Sequence, residues 1–332
     1  MAAHDLLAEL DKRVLVCEGA MGSMLSADGT VVRDTGEMNL IAPEKVAAVH
    51  KAYQDAGANV FQSNTLTCNE EMLARTGHES AGGAEVFQSN TFTANEEMLA
   101  RKGLADKSED IARAGVRLLR EAVGPDAFVA GGAGPTGKLV EPYGDLSLAR
   151  AEEVYRKQAE AMLDEGVDFL LLETFEVLEE VEAGVRGFRQ ADGGVPIAVT
   201  ISFSSPGGRT MMGNDGVEVA GRLQGLGIEI IGANCGDPGS MLAGLEAMSP
   251  ETHVPMMAQA NAGVPQLVDG KAVFAGTPEE SAELAVSFLE LGVRIVGGCC
   301  GTTPEHIARI AEVVAAFNRR PTSDNRHPTN SK

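Results

Sequence analysis

Three cysteines stand next to glycines in positions where one metal ion could bind them all. Cys299 and Cys300 are adjacent in the run GGCCGT, and Cys235 lies upstream in the run GANCGD. Three deprotonated thiols form a soft and tight ligand set for zinc. The neighbouring glycines let the backbone bend so that adjacent residues face the same ion. The sequence therefore predicts a zinc site on these three residues, with the fourth coordination position open.

An all-sulfur zinc site suits one kind of chemistry better than others. Three thiolates leave the ion electron-rich and weakly Lewis acidic, so that it activates water poorly. A thiolate that binds as the fourth ligand can remain nucleophilic at neutral pH. The cysteine set therefore indicates an alkyl thiol as the substrate.

The remaining cysteines and the histidines are not predicted as ligands. Cys17 and Cys68 are interpreted as small buried hydrophobic residues, and an odd total of five cysteines argues against a disulfide framework. His50, His253 and His306 are interpreted as residues at element ends or on the surface. Zinc is thus assigned to sulfur ligands alone.

Strands and helices alternate along the chain and must position these residues. Short apolar runs that end in polar or Gly-rich loops predict strands near 14–17, 128–131, 169–172, 197–201, 229–233, 254–258 and 294–296, and one more around Val60 or Val86. Amphipathic stretches predict helices at 43–56, 108–122, 148–165, 278–291 and 304–317. Near-continuous apolar strands alternating with helices indicate a parallel sheet covered by helices. Eight such units favour the α/β class and a single-domain (β/α)8 TIM barrel, with an open doubly wound sheet as the alternative.

A barrel would bring the conspicuous residues to one rim, because active sites in this fold lie at the carboxyl ends of the strands. Glu18 follows the first strand in the run EGAMGS, and Glu173 ends the fourth strand. Cys235 follows the sixth strand, and the Cys299–Cys300 pair follows the eighth. The fold therefore places three thiols and two carboxylates together.

An internal duplication interrupts the pattern near the second strand. Residues 58–77 (ANVFQSNTLTCNEEMLARTG) recur at 84–103 (AEVFQSNTFTANEEMLARKG), with Cys68 matched by Ala94. Two copies are too few for a solenoid, so we interpret them as a local tandem duplication of one strand-loop-helix piece. One copy can occupy the second barrel position. We favour the second copy, which runs straight into the next helix, and the first copy would then be an insertion.

The bulk properties exclude some classes of partner. A formal net charge of −21 would repel nucleic acid and anionic membranes. We find no apolar run long enough to span a bilayer and no signal-peptide pattern, which predicts a cytoplasmic protein. Residues 1–318 are predicted to form the domain, and the polar residues 319–332 a disordered tail.

Five motifs occur in order along the chain: EGAMGSML, SNTF or SNTL, LLETF, GANC and GGCCGT. Together they closely resemble the homocysteine S-methyltransferase family, which includes the homocysteine domain of cobalamin-dependent methionine synthase and betaine-homocysteine methyltransferase. The resemblance covers about residues 10–317. It implies a (β/α)8 barrel, zinc on the three cysteines and homocysteine as the methyl acceptor.

The resemblance also implies contacts with the substrate. Glu18, where the family usually has Asp, and Glu173 would hold the ammonium group as the catalytic carboxylates. Asn234 would brace the metal loop, and Asn64 or Asn90 would lie near the substrate. The backbone amides of one turn would bind the substrate carboxylate, and its residues are Gly19, Ala20, Met21, Gly22 and Ser23.

The identity of the methyl donor distinguishes the branches of the family that the motifs resemble. A donor with a positive nitrogen or sulfur needs aromatic faces or carboxylates around it. The chain has no Trp and three Tyr, of which we expect Tyr143 alone in a rim loop. The stretch GPTGKL is closer to the methionine synthase branch. We therefore favour a methyl-corrinoid supplied in trans by a corrinoid protein, with S-methylmethionine or betaine as the alternative donor.

Three other interpretations remain open from the sequence. A zinc lyase or hydrolase could use Glu18 and Glu173 as acid and base, but such sites usually include His or Asp ligands. A structural zinc site would need a fourth protein ligand. The duplication could also mark an altered paralogue with an intact metal site and poor turnover.

Overall fold

The computed structural model describes residues 5–30, 32, 35–63, 105–192, 194–268 and 271–320. Cys68, Asn64, Asn90, most of the duplicated segment and the predicted tail from 321 onward lie outside these residues. Within them, no helix is both long enough and apolar enough to cross a membrane.

The strands of the described residues are β1 (Leu15–Val16), β2 (Val60–Gln62), β3 (Phe128–Ala133), β4 (Phe169–Phe175), β5 (Ile197–Ile201), β6 (Ile230–Asn234), β7 (Met256–Ala260), β8 (Gln266–Val268), β9 (Lys271–Val273) and β10 (Val293–Gly298). All except β8 and β9 form one parallel sheet of eight strands, whose order around the molecule is β1-β10-β7-β6-β5-β4-β3-β2. A parallel bridge between Cys17 and Val60 joins the two ends of the order. The amide of Glu18 donates to the Val60 carbonyl oxygen at 3.0 Å. The predicted (β/α)8 barrel is confirmed, and the doubly wound alternative is wrong.

Most of the helices follow a strand and cover the outside of the barrel. Those described are α1 (Leu6–Leu10), α2 (Met21–Leu25), α3 (Met38–Ile41), α4 (Pro43–Asp55), α5 (Ser108–Val123), α6 (Leu148–Leu163), α7 (Leu178–Ala191), α8 (Gly216–Gly225), α9 (Pro238–Met248), α10 (Pro278–Glu290) and α11 (Pro304–Asn318). Several begin at side-chain caps, as at Ser147, Asp215 and Asp237. A capping box at Thr277 and Glu280, with Pro278 between them, starts α10.

The barrel interior is apolar at one end and polar at the other. Side chains alternate along a strand, so Phe169 and Leu171 of β4 belong to the inner cluster while Leu170 and Leu172 pack against the helices. Leu6 and Leu10 of α1 join the inner cluster, and both are buried. Glu173 comes next on the inward register of β4. The carboxyl ends of the strands therefore carry the polar groups.

The first copy of the duplicated segment supplies β2, which differs from the prediction that the second copy would do so. Gly57, with a positive φ of 102°, follows the end of α4 and leads the chain directly toward β2. Val60 then pairs with Phe128 of β3. The corresponding residues of the second copy, 86–88, lie outside the described part of the chain. Only Ala58 and Asn59 separate Gly57 from β2, so the chain that leaves α4 enters the barrel directly with the first copy.

A two-stranded antiparallel hairpin, β8 and β9, follows β7 and was not predicted. Each of its strands has three residues, too few to show a clear alternation. The sequence does contain a signal for it, because the dipeptide Asp269-Gly270 between two short apolar runs is typical of a hairpin turn.

Candidate active site

The three cysteines predicted as metal ligands lie together at the carboxyl end of the barrel. The Sγ atoms of Cys235, Cys299 and Cys300 all lie within 4.8 Å of one another. The Cys299 and Cys300 sulfurs are 3.8 Å apart. Cys17 lies apart from them, fully buried in the inner cluster, as predicted for a small hydrophobic residue. The structure therefore groups the three thiols that could hold a metal ion.

The backbone at the cysteines is fixed by neighbouring strands. Cys235 has a positive φ of 64°, which is uncommon for a residue other than glycine. Its amide donates to the carbonyl oxygen of Gln259 at 3.0 Å, and the Cys299 amide donates to that of Ala260 at 2.8 Å. Strand β7 therefore holds both cysteine loops, one on each side.

Asn261, just after β7, links the two cysteine loops through its side chain. Its Oδ1 accepts from the Cys300 amide at 3.0 Å, and its Nδ2 donates to the Gly236 carbonyl oxygen at 2.8 Å. The sequence analysis did not assign a role to Asn261. One amide side chain thus fixes the separation of the loops that carry the thiols.

Asn234, the last residue of β6, lies next to the cysteine cluster. Its Oδ1 accepts from the Thr174 amide at 2.9 Å and from the Thr200 hydroxyl at 2.8 Å. Its Nδ2 lies 3.8 Å from the Cys299 sulfur and 3.4 Å from Oε2 of Glu173. The predicted bracing of the metal loop is compatible with this position and stays a prediction.

Glu173 is buried beside the cysteines, with its carboxylate at the polar end of the barrel. Its Oε2 lies 3.4 Å from the side-chain nitrogen of Gln62, and its Oε1 has no hydrogen-bond partner among the residues that the structure describes. Burial, and then the nearby Cys235 thiol, raise the pKa of Glu173 to about 8. A cationic group placed next to Glu173 would stabilise its ionised form.

Glu18 is also buried, and both of its oxygens are held. Oε1 accepts from the Gln62 amide at 2.8 Å, and Oε2 lies 2.9 Å from Nδ1 of His50. The two predicted catalytic carboxylates therefore both contact Gln62, a residue of β2 that the sequence did not single out.

One of the three histidines is placed differently from the prediction. His50 is completely buried, because it shares the inward face of α4 with Val49. His306 is also buried and caps the start of α11 together with Thr303. The interpretation was wrong for His50, which is buried within α4, whereas the position of His306 at the start of α11 agrees with a residue at an element end. His253 is exposed, as predicted.

The turn after β1 fits closely against its neighbours. A Cβ atom on Gly19 would lie 2.6 Å from the Thr302 hydroxyl oxygen and 2.9 Å from the Tyr53 ring. The Ala20 amide donates to the Thr302 hydroxyl at 3.1 Å and so is already engaged. Helix α2 begins at Met21 without a side-chain cap. The first amides of that helix, including those of Gly22 and Ser23, have no acceptor within the helix.

One cleft joins these parts. It opens to solvent at the carboxyl end of the barrel. Its lining consists of Glu18, Gly19, Ala20, Met21, Gly22, Ser23, Gln62, Ser63, Glu173, Gln259, Phe274, Gly298, Cys299, Cys300 and Gly301. The turn, both carboxylates and two of the cysteines therefore face a common space.

Phe274, just after the hairpin, is a lining residue that the sequence did not indicate. A Cβ atom on Gly301 would lie 2.3 Å from the Cβ of Phe274, and Gly301 has a positive φ of 77°. The glycine after the cysteine pair is thus required both by the backbone conformation and by the close approach of this ring.

A family model described as homocysteine S-methyltransferase matches the chain in two pieces, residues 15–82 and 80–314. The join between the pieces falls between the two copies of the duplicated segment.

The similar proteins of known name include methionine synthases and a betaine enzyme. Methionine synthase of Mycobacterium leprae (strain TN) is 31% identical over 334 residues, which are 95% of this chain and 25% of that protein. Betaine–homocysteine S-methyltransferase 1 of Xenopus tropicalis is 28% identical over 339 residues, which are 95% of this chain and 76% of that protein. The chain thus spans about a quarter of the length of the methionine synthases that it matches.

Solved structures show the same fold. The metallated form of the homocysteine methyltransferase MmuM from Escherichia coli superposes with a TM-score of 0.72 and 23% identity, covering 92% of this chain and 99% of that one. Its apo form gives a TM-score of 0.66, covering 93% and 99%. This likeness supports the barrel architecture.

Proposed function

The chain belongs to the homocysteine S-methyltransferase family, and on this premise we propose that it transfers a methyl group to the thiol of homocysteine, giving methionine. One observation carries the proposal: three cysteine sulfurs lie within 4.8 Å of one another, beside a cleft lined by two buried carboxylates. Groups that could bind a thiol and groups that could bind an ammonium are thus combined in one cleft.

Zinc fits the cysteine cluster. Tetrahedral Zn–S bonds of about 2.3 Å would separate two sulfurs by about 3.8 Å, and the sulfurs of Cys299 and Cys300 are 3.8 Å apart. Hydrogen bonding with Cys235 and burial raise the pKa of these two thiols well above the usual range. Three thiolates in such a place need a cation to compensate their charge. When bound, zinc would supply a fourth position in which a substrate thiol stays ionised at neutral pH.

The rest of the cleft offers groups for the two ends of an amino acid. Glu173 and Glu18 would receive the ammonium group, and Oε1 of Glu173 is available for it among the described contacts. The substrate carboxylate would accept from the amides at the start of α2, since the Ala20 amide already donates to Thr302. These groups would orient the substrate so that its sulfur reaches the cysteine cluster.

For the donor we favour a methyl-corrinoid, supplied in trans by a corrinoid protein. A methionine synthase and a betaine enzyme are both relatives, so the choice depends on the cleft. Phe274 is the one aromatic residue that lines it in the described part of the chain. Tyr53 and Tyr155 are fully buried and do not line the cleft, and Tyr143 is half exposed. A single ring is not enough to form an aromatic cage around the quaternary nitrogen of betaine.

Lyase or hydrolase chemistry is less well supported. The metal-binding group found among the described residues consists of three cysteines, with no His or Asp to make a bound ion more acidic. The same finding disfavours a purely structural zinc site, which would take four protein ligands.

The proposal is tested by one panel of assays. Zinc content and homocysteine methylation are measured with methylcobalamin, S-methylmethionine and betaine, in wild type and in Cys299→Ser. We expect wild type to bind one zinc and to use methylcobalamin best. Cys299→Ser should lose most of the zinc and should lower the rate at least about a hundredfold, as expected when a catalytic metal is lost.

Cys68→Ala is the matched control, because the second copy already has alanine at the corresponding Ala94. It should keep both zinc and activity. An active protein without zinc, or full activity in Cys299→Ser, would contradict the metal assignment. Zinc binding without methylation by any of the donors would contradict the activity and favour an altered paralogue.

A further inference from the structure

Helix α4 carries two polar side chains on the face that packs against the start of the cleft. The buried residues of this helix are Val46, Val49, His50 and Tyr53. The Tyr53 hydroxyl donates to the carbonyl oxygens of Ala20 at 2.8 Å and Thr302 at 2.9 Å. One of the two polar residues therefore fixes the backbone of the turn after β1, which leaves His50 to be explained.

His50 contacts the side chain that follows β1. Its Nδ1 lies 2.9 Å from Oε2 of Glu18, while the Gln62 amide donates to Oε1 of the same carboxylate at 2.8 Å. One oxygen is thus held from helix α4 and the other from strand β2. Glu18 lines the cleft but is only 3% exposed, so these two contacts set the direction of its carboxylate.

Among the described residues, the contact with Glu18 is the one hydrogen bond that the His50 side chain makes. The side chain is fully buried, and Nε2 has no hydrogen-bond partner in the part of the chain that the structure describes. Leaving an imidazole nitrogen unpaired in the interior is unfavourable for folding. An apolar residue of similar size would complete the buried face of α4 without that penalty. The contact with Glu18 is therefore the feature that histidine adds.

We propose that His50 is a positioning residue for substrate binding. In the tautomer with a proton on Nδ1 it donates to Glu18 and holds the carboxylate where it receives the ammonium group of an amino-acid thiol. This inference rests on the proposed function, since the ammonium group is that of homocysteine. His50 is not part of the cleft lining, so it acts through Glu18.

Two substitutions of His50 distinguish a role in positioning Glu18 from a role in packing alone. His50→Leu keeps the bulk and removes the donor, whereas His50→Asn keeps an N–H donor near the place of Nδ1. We expect His50→Leu to raise the KM for homocysteine roughly tenfold while kcat changes less than about twofold, because ground-state and transition-state binding weaken alike. His50→Asn should restore most of the wild-type KM.

The partner is identified by a double-mutant cycle with Glu18→Gln. If His50 acts through the Glu18 carboxylate, His50→Leu has little further effect on KM once Glu18 is changed. Gln158→Leu is the matched control. Gln158 is another buried polar residue on a covering helix with one unpaired side-chain atom among the described residues, and it does not contact Glu18. The KM of Gln158→Leu for homocysteine should equal that of wild type.

Calorimetric titration of the zinc-loaded proteins with homocysteine keeps this inference separate from the reaction itself. A wild type that binds homocysteine but transfers no methyl group contradicts the proposed function, while weaker binding in His50→Leu still supports positioning. Equal affinity in His50→Leu and wild type, or additive effects of the two substitutions, would overturn the role of His50. A wild type that binds no homocysteine overturns both.

Discussion

Amide side chains, as well as thiols, organise the site at the scale of single residues. Asn261 joins the loops that carry Cys235 and Cys300, and Asn234 joins the end of β4 to the same cluster. Outer groups of this kind fix the direction of metal ligands and tune metal affinity. The geometry of the thiols therefore depends on residues that would not touch the ion in the proposed site.

Replacing Asn261 by alanine should weaken zinc binding without unfolding the barrel. We expect the dissociation constant for zinc to rise about 10- to 100-fold in Asn261→Ala, since both hydrogen bonds between the loops are lost. Competition with a chromophoric chelator measures the affinity. Asn318→Ala is the matched control, because Asn318 also bonds one backbone N–H and one carbonyl oxygen, both of Val14, far from the cysteines in the fold.

The control should lose stability but keep its zinc affinity. Equal zinc affinity in Asn261→Ala and wild type would show that the thiols need no such link between their loops.

The cysteine ligands were easier to predict from the sequence than the residues that hold the site in place. An adjacent cysteine pair between glycines is unusual enough to indicate a metal site by itself. Asn261 and His50 have no local pattern of that kind. Their partners are separated from them by 39 and 32 residues along the chain, so their roles depend on which strands and helices become neighbours.

At the scale of elements, the carboxyl ends of strands and the loops that follow them place most of the site. β1 is followed by the turn with Glu18, β4 contains Glu173, and the loops after β6 and β10 carry the cysteines. β2 contributes Gln62 and is followed by Ser63, both of which line the cleft. Asn64 is the next residue after Ser63 in the sequence.

The use of the first copy for β2 leads to a prediction about the two equivalent asparagines. Asn64→Ala should lower kcat/KM for homocysteine at least about tenfold, because a polar contact with the substrate would be lost. Asn90→Ala, the same change in the other copy, should keep the wild-type value within about twofold. Steady-state kinetics of the two variants measure this, and a loss confined to Asn90→Ala would show that the second copy forms the barrel in solution.

The sequence located the major strands but not the choice between copies. Apolar runs marked strands such as β5, whose predicted range 197–201 agrees with the observed Ile197–Ile201. Both copies contain the same run VFQSNT, so local propensity cannot distinguish them. What distinguishes them is the pairing of Val60 with Phe128, a contact that exists only in the folded barrel.

At the scale of the whole molecule, the barrel separates the groups that stabilise it from those that would react. The inner cluster around Phe169 and Leu171 is apolar and is joined by α1, whereas Gln62, Glu173 and Gln259 lie at the opposite end and line the cleft. Substitutions in the cleft are therefore expected to change binding more than folding.

The fold class could be predicted because it depends on many residues at once. Repeated strand-helix units indicate a parallel barrel even when single boundaries are misplaced by a few residues. The barrel then explains why cysteines 64 residues apart meet, Cys235 with Cys299. The acidic surface, with a net charge of −21, carries no such information about the reaction.

The most direct test of the central claim is X-ray absorption at the zinc edge, recorded with and without homocysteine. The zinc-loaded protein should show three sulfur ligands and one lighter atom, and homocysteine should convert this set to four sulfurs at about 2.3 Å. A set of four protein ligands that homocysteine does not change would contradict the account, because the thiol would then have no place on the metal.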